Sequence, residues 1–383
     1  MSAPPAFVLS TEQQEFRKTL RAFVDQHCAS GQLRALFDDP AGFDPKAWKL
    51  MSEQLGLPGL AIPEKYNGTG AGITELAIAS EELGRALYGS PFYATTVLAT
   101  TLLLAIVDPQ LGGDDGDDVV ASLLSELAAG TRTATVALHD GLLPEAGRLS
   151  SVTARKDGDR WLLTGGRLTA IDGATADVTL VMAATDVGPS VFVVSDSPGG
   201  MLRSPLATLD LTRPQAALRF GDVPGHLVGR PGCAGHALRR LRSVAALLSA
   251  AEQLGGAQGC LDQAVQYAGS RIQFGRVIGS FQAVKHRLAE LLTEVELARS
   301  AVYQAAWAAD YSPAELDVAA AIAALWTTDV YQHMAEENIQ IHGGIGFTWE
   351  HDAHLHLRRA QSAAAMLTPA EDHRAVVAAD LVP

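Results

Sequence analysis

Hydrophobic periodicity changes twice along this chain, and that order restricts its folds more than any other feature. Residues 1–120 read as helices. Ser10 followed by Gln13 is a capping box, and Phe16, Leu20, Phe23 and Val24 then recur at helical spacing. Pro58, Pro63 and glycines 68, 70 and 72 mark a loop before a second helical run over Leu76–Leu87, and the acidic Gly112–Asp118 reads as an exposed break. Over 121–230 the texture shortens to apolar runs with turn residues between them: Trp161-Leu162-Leu163, Val178–Met182, Val191–Val194 and Ala216–Phe220. Asp157-Gly158 sits where a hairpin turn belongs. From 231 to 383 helical spacing returns, with Leu288, Leu291, Leu292 and Val295 on one face and Ser312-Pro313-Ala314-Glu315 as a capped helix start. Four long helices are expected there, over 234–269, 280–309, 313–340 and 350–366.

Composition narrows the function classes. At 383 residues, 48% of them hydrophobic and 19% charged, the chain can bury a large core shared by several domains. A net charge of −14 with no clustered basic face excludes a nucleic-acid role. Cys28, Cys233 and Cys260 are odd in number, widely spaced and without a CxxC, which suits reduced thiols. Met1–Phe7 lacks the basic and apolar regions of a leader, and the Thr-broken Val97–Val107 is too short to span a bilayer. A cytoplasmic protein is the expectation.

Two short stretches carry chemistry. In Arg271-Ile272-Gln273-Phe274-Gly275, followed by Phe281-Gln282, Arg271 can pair bidentately with a pyrophosphate and Phe274 offers a stacking face. Gly275 lets the chain turn beside that ring. In Gln340-Ile341-His342-Gly343-Gly344-Ile345-Gly346, Gln340 can bond a phosphate or ribose, as can Gln282, while Gly343 and Gly344 let the backbone approach a phosphate closely. Singly these residues read as core aromatics and a surface ion pair; together, at this spacing, they read as a grip for an adenine-diphosphate group.

The helix–strand–helix order with these two stretches resembles the acyl-CoA dehydrogenase family, over essentially the whole chain. Thr348-Trp349-Glu350 and Arg358 continue the second signature. The resemblance implies an α+β, mainly α fold: an N-terminal helical domain (1–120), a middle β-barrel domain (121–230) and a C-terminal four-helix bundle (231–383). It also implies an FAD shared at a subunit interface, its ADP end bound by Arg271, Phe274, Gln282, Gln340, Gly343 and Gly344. The substrate is expected to be an acyl-CoA thioester oxidised at its α,β bond, with electron-transfer flavoprotein as acceptor.

Where the family keeps its reacting half, this sequence departs. The proton-abstracting Glu falls about 27 residues after the signature Gln, which here is Leu367; in a minority it lies on the earlier helix, at the position of Ala245. Neither can accept a proton. The loop that bonds the isoalloxazine aligns with His139-Asp140-Gly141-Leu142-Leu143-Pro144-Glu145-Ala146, and the strand covering the ring with Thr169-Ala170-Ile171. Gly165, Arg167 and Ala176-Asp177 still match, so the contacts are lost and the fold is not. Glu252 and Glu371 are the nearest displaced carboxylates. The cluster Glu350-His351-Asp352-Ala353-His354-Leu355-His356 looks metal-like, but reads better as a solvated helix start without a metal site. Arg239, Arg240 and Arg242 form an exposed basic run that could also meet CoA phosphates.

No catalytic residue is therefore assigned. The chain is similar to the base-lacking subunit of actinobacterial α2β2 acyl-CoA dehydrogenases, some acting on steroid side chains, which implies a Glu-bearing sister subunit. Two other readings stay open: a self-sufficient homotetramer with a displaced base, and a cofactor-free scaffold or CoA-thioester binding protein.

Overall fold

A computed structural model describes residues 8–28, 30–39, 41–108, 116–139, 143, 151–195, 199–232 and 234–381. The amino-terminal segment is helical: α1 (Thr11–His27), α2 (Ser30–Ala35), α3 (Pro45–Leu55), α4 (Ile73–Arg85), a π-helical turn (Tyr93–Ala99) running into α5 (Thr100–Val107), and α6 (Asp118–Ala128). The Ser10 box forms as the sequence predicts: the Ser10 hydroxyl accepts from the Gln13 amide at 3.2 Å, and the Gln13 side chain accepts from the Ser10 amide at 2.9 Å. Leu20, Phe23 and Val24 are buried on one face of α1. Of the expected acidic break, Asp118 already opens α6. Residues 112–115 lie outside the described residues, and Asp117 caps α6 by accepting from the amides of Val119 and Val120.

Among the described residues seven strands follow: β1 (Ala134–His139), β2 (Val152–Asp157), β3 (Arg160–Ile171), β4 (Val178–Thr185), β5 (Gly188–Ser195), β6 (Met201–Pro205) and β7 (Gln215–Val228). They form one sheet in the order β1-β3-β2-β4-β5-β7-β6, with additional β1–β4 and β3–β7 pairings. Among the described residues no closed barrel, as the resemblance implied, is assigned to it. Asp157 pairs with Arg160 across the expected hairpin, where Gly158 takes a φ of 60°. Alternation along β4 and β5 joins two cores: Leu180, Met182, Val191 and Val193 pack into the helical core, while Val181, Ala183, Phe192 and Val194 fill the sheet's own.

The carboxy-terminal segment holds α7 (Ala234–Ser270), a two-residue hairpin of β8 (Ile272–Gln273) and β9 (Arg276–Val277), α8 (Gln282–Tyr311), α9 (Leu316–His342), α10 (Ala353–Ala364) and α11 (Ala370–Leu381). Two local expectations need correction. Ser312 makes no side-chain cap; Pro313–Glu315 is a 3-10 turn and α9 starts at Leu316. Leu291 and Val295 are buried in α8, but Leu292 lies one residue off the apolar stripe and is exposed. Helices α4 and α7 cross with their backbones almost touching. A Cβ on Gly255 would stand 1.8 Å from the Glu81 carbonyl oxygen, and one on Gly84 2.1 Å from that of Glu252. That close crossing fixes α7, the helix carrying both Ala245 and Glu252, against the amino-terminal helices. Among the described residues no helix is long and apolar enough to cross a membrane.

Candidate functional site

Helices α7, α8 and α9 run antiparallel in succession, so the end of α7, the start of α8 and the end of α9 fall at one end of the bundle. Every residue expected to hold an ADP group sits there. Arg271 follows α7 directly, with its amide bonded to the Tyr267 carbonyl at 2.8 Å. The β8–β9 hairpin turns through Phe274 and Gly275 at φ values of 53° and 78°, the double left-handed signature of a type I′ turn. Glycine adopts that conformation freely; phenylalanine does so at a cost. The strained position leaves the Phe274 ring 92% exposed at the tip. Gln282 is the first residue of α8 and Gln340 lies in the last turn of α9; both are exposed.

A stack of rings joins the two signatures. His342 lies 4.3 Å from Tyr267 on one side and 4.2 Å from His351 on the other, centroid to centroid, and its Nδ1 is 2.8 Å from the Asn338 carbonyl oxygen. Burial lowers its pKa, so the ring is neutral near pH 7. Beyond it Gly343 turns with a φ of 65°, and a Cβ on either Gly343 or Gly344 would meet nothing within 4 Å. An open glycine turn, an exposed Arg271 side chain without an ion-pair or hydrogen-bond partner among the described residues, and an exposed aromatic ring fit the ADP half of FAD.

The reacting half does not fit. Ala245 and Leu367 are both buried. The Leu367 carbonyl accepts the Leu143 amide at 2.7 Å, which spends a main-chain donor of the segment aligned with the flavin-binding loop. The rest of that segment, from Asp140 to Leu142 and from Pro144 to Ala146, lies outside the described residues. Glu252 is no spare base: it bonds Arg213 and Arg359 on the carboxylate side, and its exposure is 9%. Glu371 occupies the first turn of α11 and is exposed. The His-rich segment is not solvated as expected. His356 is buried between Tyr331 (3.0 Å) and Gln263 (3.2 Å), with burial driving its pKa down to about 3, and His354 meets Trp349 edge to face at 4.7 Å. Among the described residues no group of His, Cys, Asp or Glu could hold a metal ion.

Sequence reasoning missed the densest polar cluster, because its members stand up to 149 residues apart. Arg359 bonds Asp210, Glu252 and Thr212; Arg213 bonds Glu252. Burial pushes the Asp210 carboxyl up, but Arg359 and Arg213 outweigh it and hold the group below its usual range. Nearby, Oδ2 of Asp172 is buried with no partner, and burial raises this carboxyl to about 7. Such a group costs nothing below pH 4, where folded and unfolded forms are both protonated. Its cost grows between pH 4 and 7 and is complete above. Asp172→Asn, which keeps a residue tolerant of its φ of 54°, is expected to stabilise the chain by about 2–4 kcal/mol at pH 8 and by little at pH 4. Urea denaturation at the two pH values checks this, and an equal effect at both would contradict it.

Two adjoining cavities of about 180 and 50 Å³ open between α7, α9 and α11. They share Ala246, Thr368 and His373; Arg239 and Arg242 stand at the outer one, and Leu367 lines the inner one. Arg242 pairs with Asp372 at 3.1 Å, so it is only partly free for a ligand.

A carboxy-terminal helical bundle joined through a β-sheet to an amino-terminal helical layer is the architecture of the flavin-dependent acyl-CoA dehydrogenases. The chain belongs to the acyl-CoA dehydrogenase family: residues 10–111 match the family model for the acyl-CoA dehydrogenase N-terminal domain, and 237–382 that for the C-terminal domain. It is 35% identical to acyl-CoA dehydrogenase IpdE2 of Mycobacterium tuberculosis, over 93% of each chain. It is 36% identical to acyl-CoA dehydrogenase FadE34 of the same organism, over 92% of this chain but only 45% of FadE34. A chain in the crystal structure of the ChsE4-ChsE5 complex from M. tuberculosis superposes with a TM-score of 0.83 at 28% identity, over 98% of both chains.

Proposed function

We propose that this chain is a subunit of a flavin-dependent acyl-CoA dehydrogenase that is inactive without a Glu-bearing sister chain. It lends Arg271, Phe274, Gln282, Gln340, Gly343 and Gly344 to the ADP end of an FAD whose isoalloxazine is held by that partner. The observation that carries this is a contrast within one chain. The residues suited to the nucleotide tail stand exposed at one end of the bundle, while both base positions are buried alanine and leucine. A likeness to one chain of a named two-component complex supports it. So does FadE34, where a sequence like this one accounts for under half of a single polypeptide.

When bound, FAD supplies a hydride acceptor. What this chain contributes is placement. Arg271 neutralises pyrophosphate charge, Phe274 stacks against the adenine, and the Gly343-Gly344 turn admits phosphate oxygens to the backbone. The α-proton is taken by the partner's carboxylate. The substrate is an acyl-CoA, from a lipid or a steroid side chain, and electron-transfer flavoprotein reoxidises the complex. In this reading residues 1–120, 121–230 and 231–383 are the three family domains, the middle one a barrel, working in the cytoplasm as an α2β2 tetramer.

Co-expression with a Glu-bearing family member, followed by ferricenium reduction assays with acyl-CoA, tests the assignment. Activity is expected only from the pair and is lost on Glu→Gln in the partner. Unchanged activity in this chain's Glu252→Gln and Glu371→Gln variants, where they fold, completes the pattern. Turnover by this chain alone would overturn it.

A further inference from the structure

The ring stack of Tyr267, His342 and His351 ties together the two stretches that the proposed function gives to the nucleotide. Tyr267 lies in the last turn of α7, and its carbonyl holds the Arg271 amide at 2.8 Å. His342 directly precedes Gly343 and is 5% exposed. The chain then folds back over this side chain: a Cβ on Gly346 would stand 2.9 Å from the His342 Cβ. His351 closes the stack from beyond the turn. Its Nδ1 accepts the Ala353 amide at 3.1 Å, while Arg34 of α2 donates to its carbonyl oxygen at 3.1 Å and pairs with Asp352 at 2.6 Å. These partners fix one neutral form for each ring. His342 carries its proton on Nδ1, which faces a carbonyl, and His351 carries none on Nδ1, which faces an N–H.

We infer that His342 and His351 are positioning residues for the nucleotide: as a neutral stacked pair they hold the Gly343-Gly344 turn in register with Arg271, and a proton on either ring releases it. This rests on the reading of that turn as the grip for the ADP end. A charge on His342 would lie buried between two rings, and a proton on His351 Nδ1 would meet the Ala353 N–H. Burial accordingly lowers the pKa of both. Facing the pair are Tyr267 from α7, Asp352 and His354 at the start of α10, and Arg34 from α2. Asp352 favours a proton on His351, but its ion pair with Arg34 offsets that pull. Above about pH 6.5 an imidazole is neutral whether stacked or free. Below that, the free ring takes up a proton that the stack refuses, so the stack weakens as the solution is acidified. One pH unit lower the weakening reaches up to about tenfold per ring.

The test is titration of the apo-complex with FAD at pH 7.5 and pH 5.5, read by flavin fluorescence. Wild type is expected to bind at least fivefold more weakly at pH 5.5. A variant carrying both His342→Phe and His351→Phe keeps two rings but no titrating nitrogen, and should change by less than twofold between the two pH values. His342→Ala should bind at least fivefold more weakly than wild type at pH 7.5, with His342→Phe recovering most of that loss. Wild-type affinity that is flat, or that rises in acid as for a histidine bonding a phosphate, would overturn the inference. So would a double variant that keeps the wild-type pH dependence. Should the double variant not fold, His342→Phe alone takes its place, and an undiminished pH dependence there is equally contrary. Replacing Arg271 and Phe274 together by alanine separates this from the parent reading. Affinity lost in that variant while wild type stays flat in acid refutes the stack alone, whereas affinity kept in that variant refutes the nucleotide grip itself.

Discussion

Replacing Arg271 and Phe274 together by alanine is expected to lower the FAD affinity of the assembled complex at least a hundredfold. A hydrogen bond from a charged group contributes about 1.5–3 kcal/mol, and base stacking on an aromatic ring about 1–3 kcal/mol. Even with partial compensation, the two reach that factor. Folding should be untouched. Phe274 stands clear of the body of the protein, and its left-handed backbone costs the native state energy that a smaller residue does not increase. Titration of the apo-complex with FAD, followed by flavin fluorescence, measures the loss, and thermal denaturation of this chain supplies the control. A loss below threefold would mean that the exposed hairpin serves something other than the nucleotide.

The second large effect concerns stability. Arg359→Met is expected to destabilise the chain by about 3–5 kcal/mol, the range found when one partner of a buried ion pair is removed. Methionine nearly matches the aliphatic volume, so the cost is electrostatic. Asp210 and Glu252 would share the single cation of Arg213 in a region almost closed to water. Adding Asp210→Leu should recover more than half of the loss, because it restores charge balance. Urea denaturation at pH 7 reads both. A single variant costing under 1 kcal/mol would show that the lattice is solvated.

Much of this molecule can be read in its sequence where the information is local. The Ser10 box, the Asp157-Gly158 hairpin and the long carboxy-terminal helices depend on residues a few positions apart, and the structure places them within a few residues of expectation. The residues proposed to hold the nucleotide tail are legible for the same reason: each signature is contiguous. The lattice around Arg359 is not, since Asp210, Glu252 and Arg359 come from a loop and two helices with no spacing rule to connect them. His351, His354 and His356 misled in a related way. Polarity suggested solvent, whereas each finds a ring or hydrogen-bond partner once α9 and α10 pack.

Flavin content per polypeptide tests the central claim most directly. Purified by itself in the presence of excess FAD, the chain should retain none after gel filtration; co-purified with a Glu-bearing sister chain, the tetramer should retain two FAD. One tightly held FAD per chain in the isolated protein, reduced on addition of an acyl-CoA, would contradict the account.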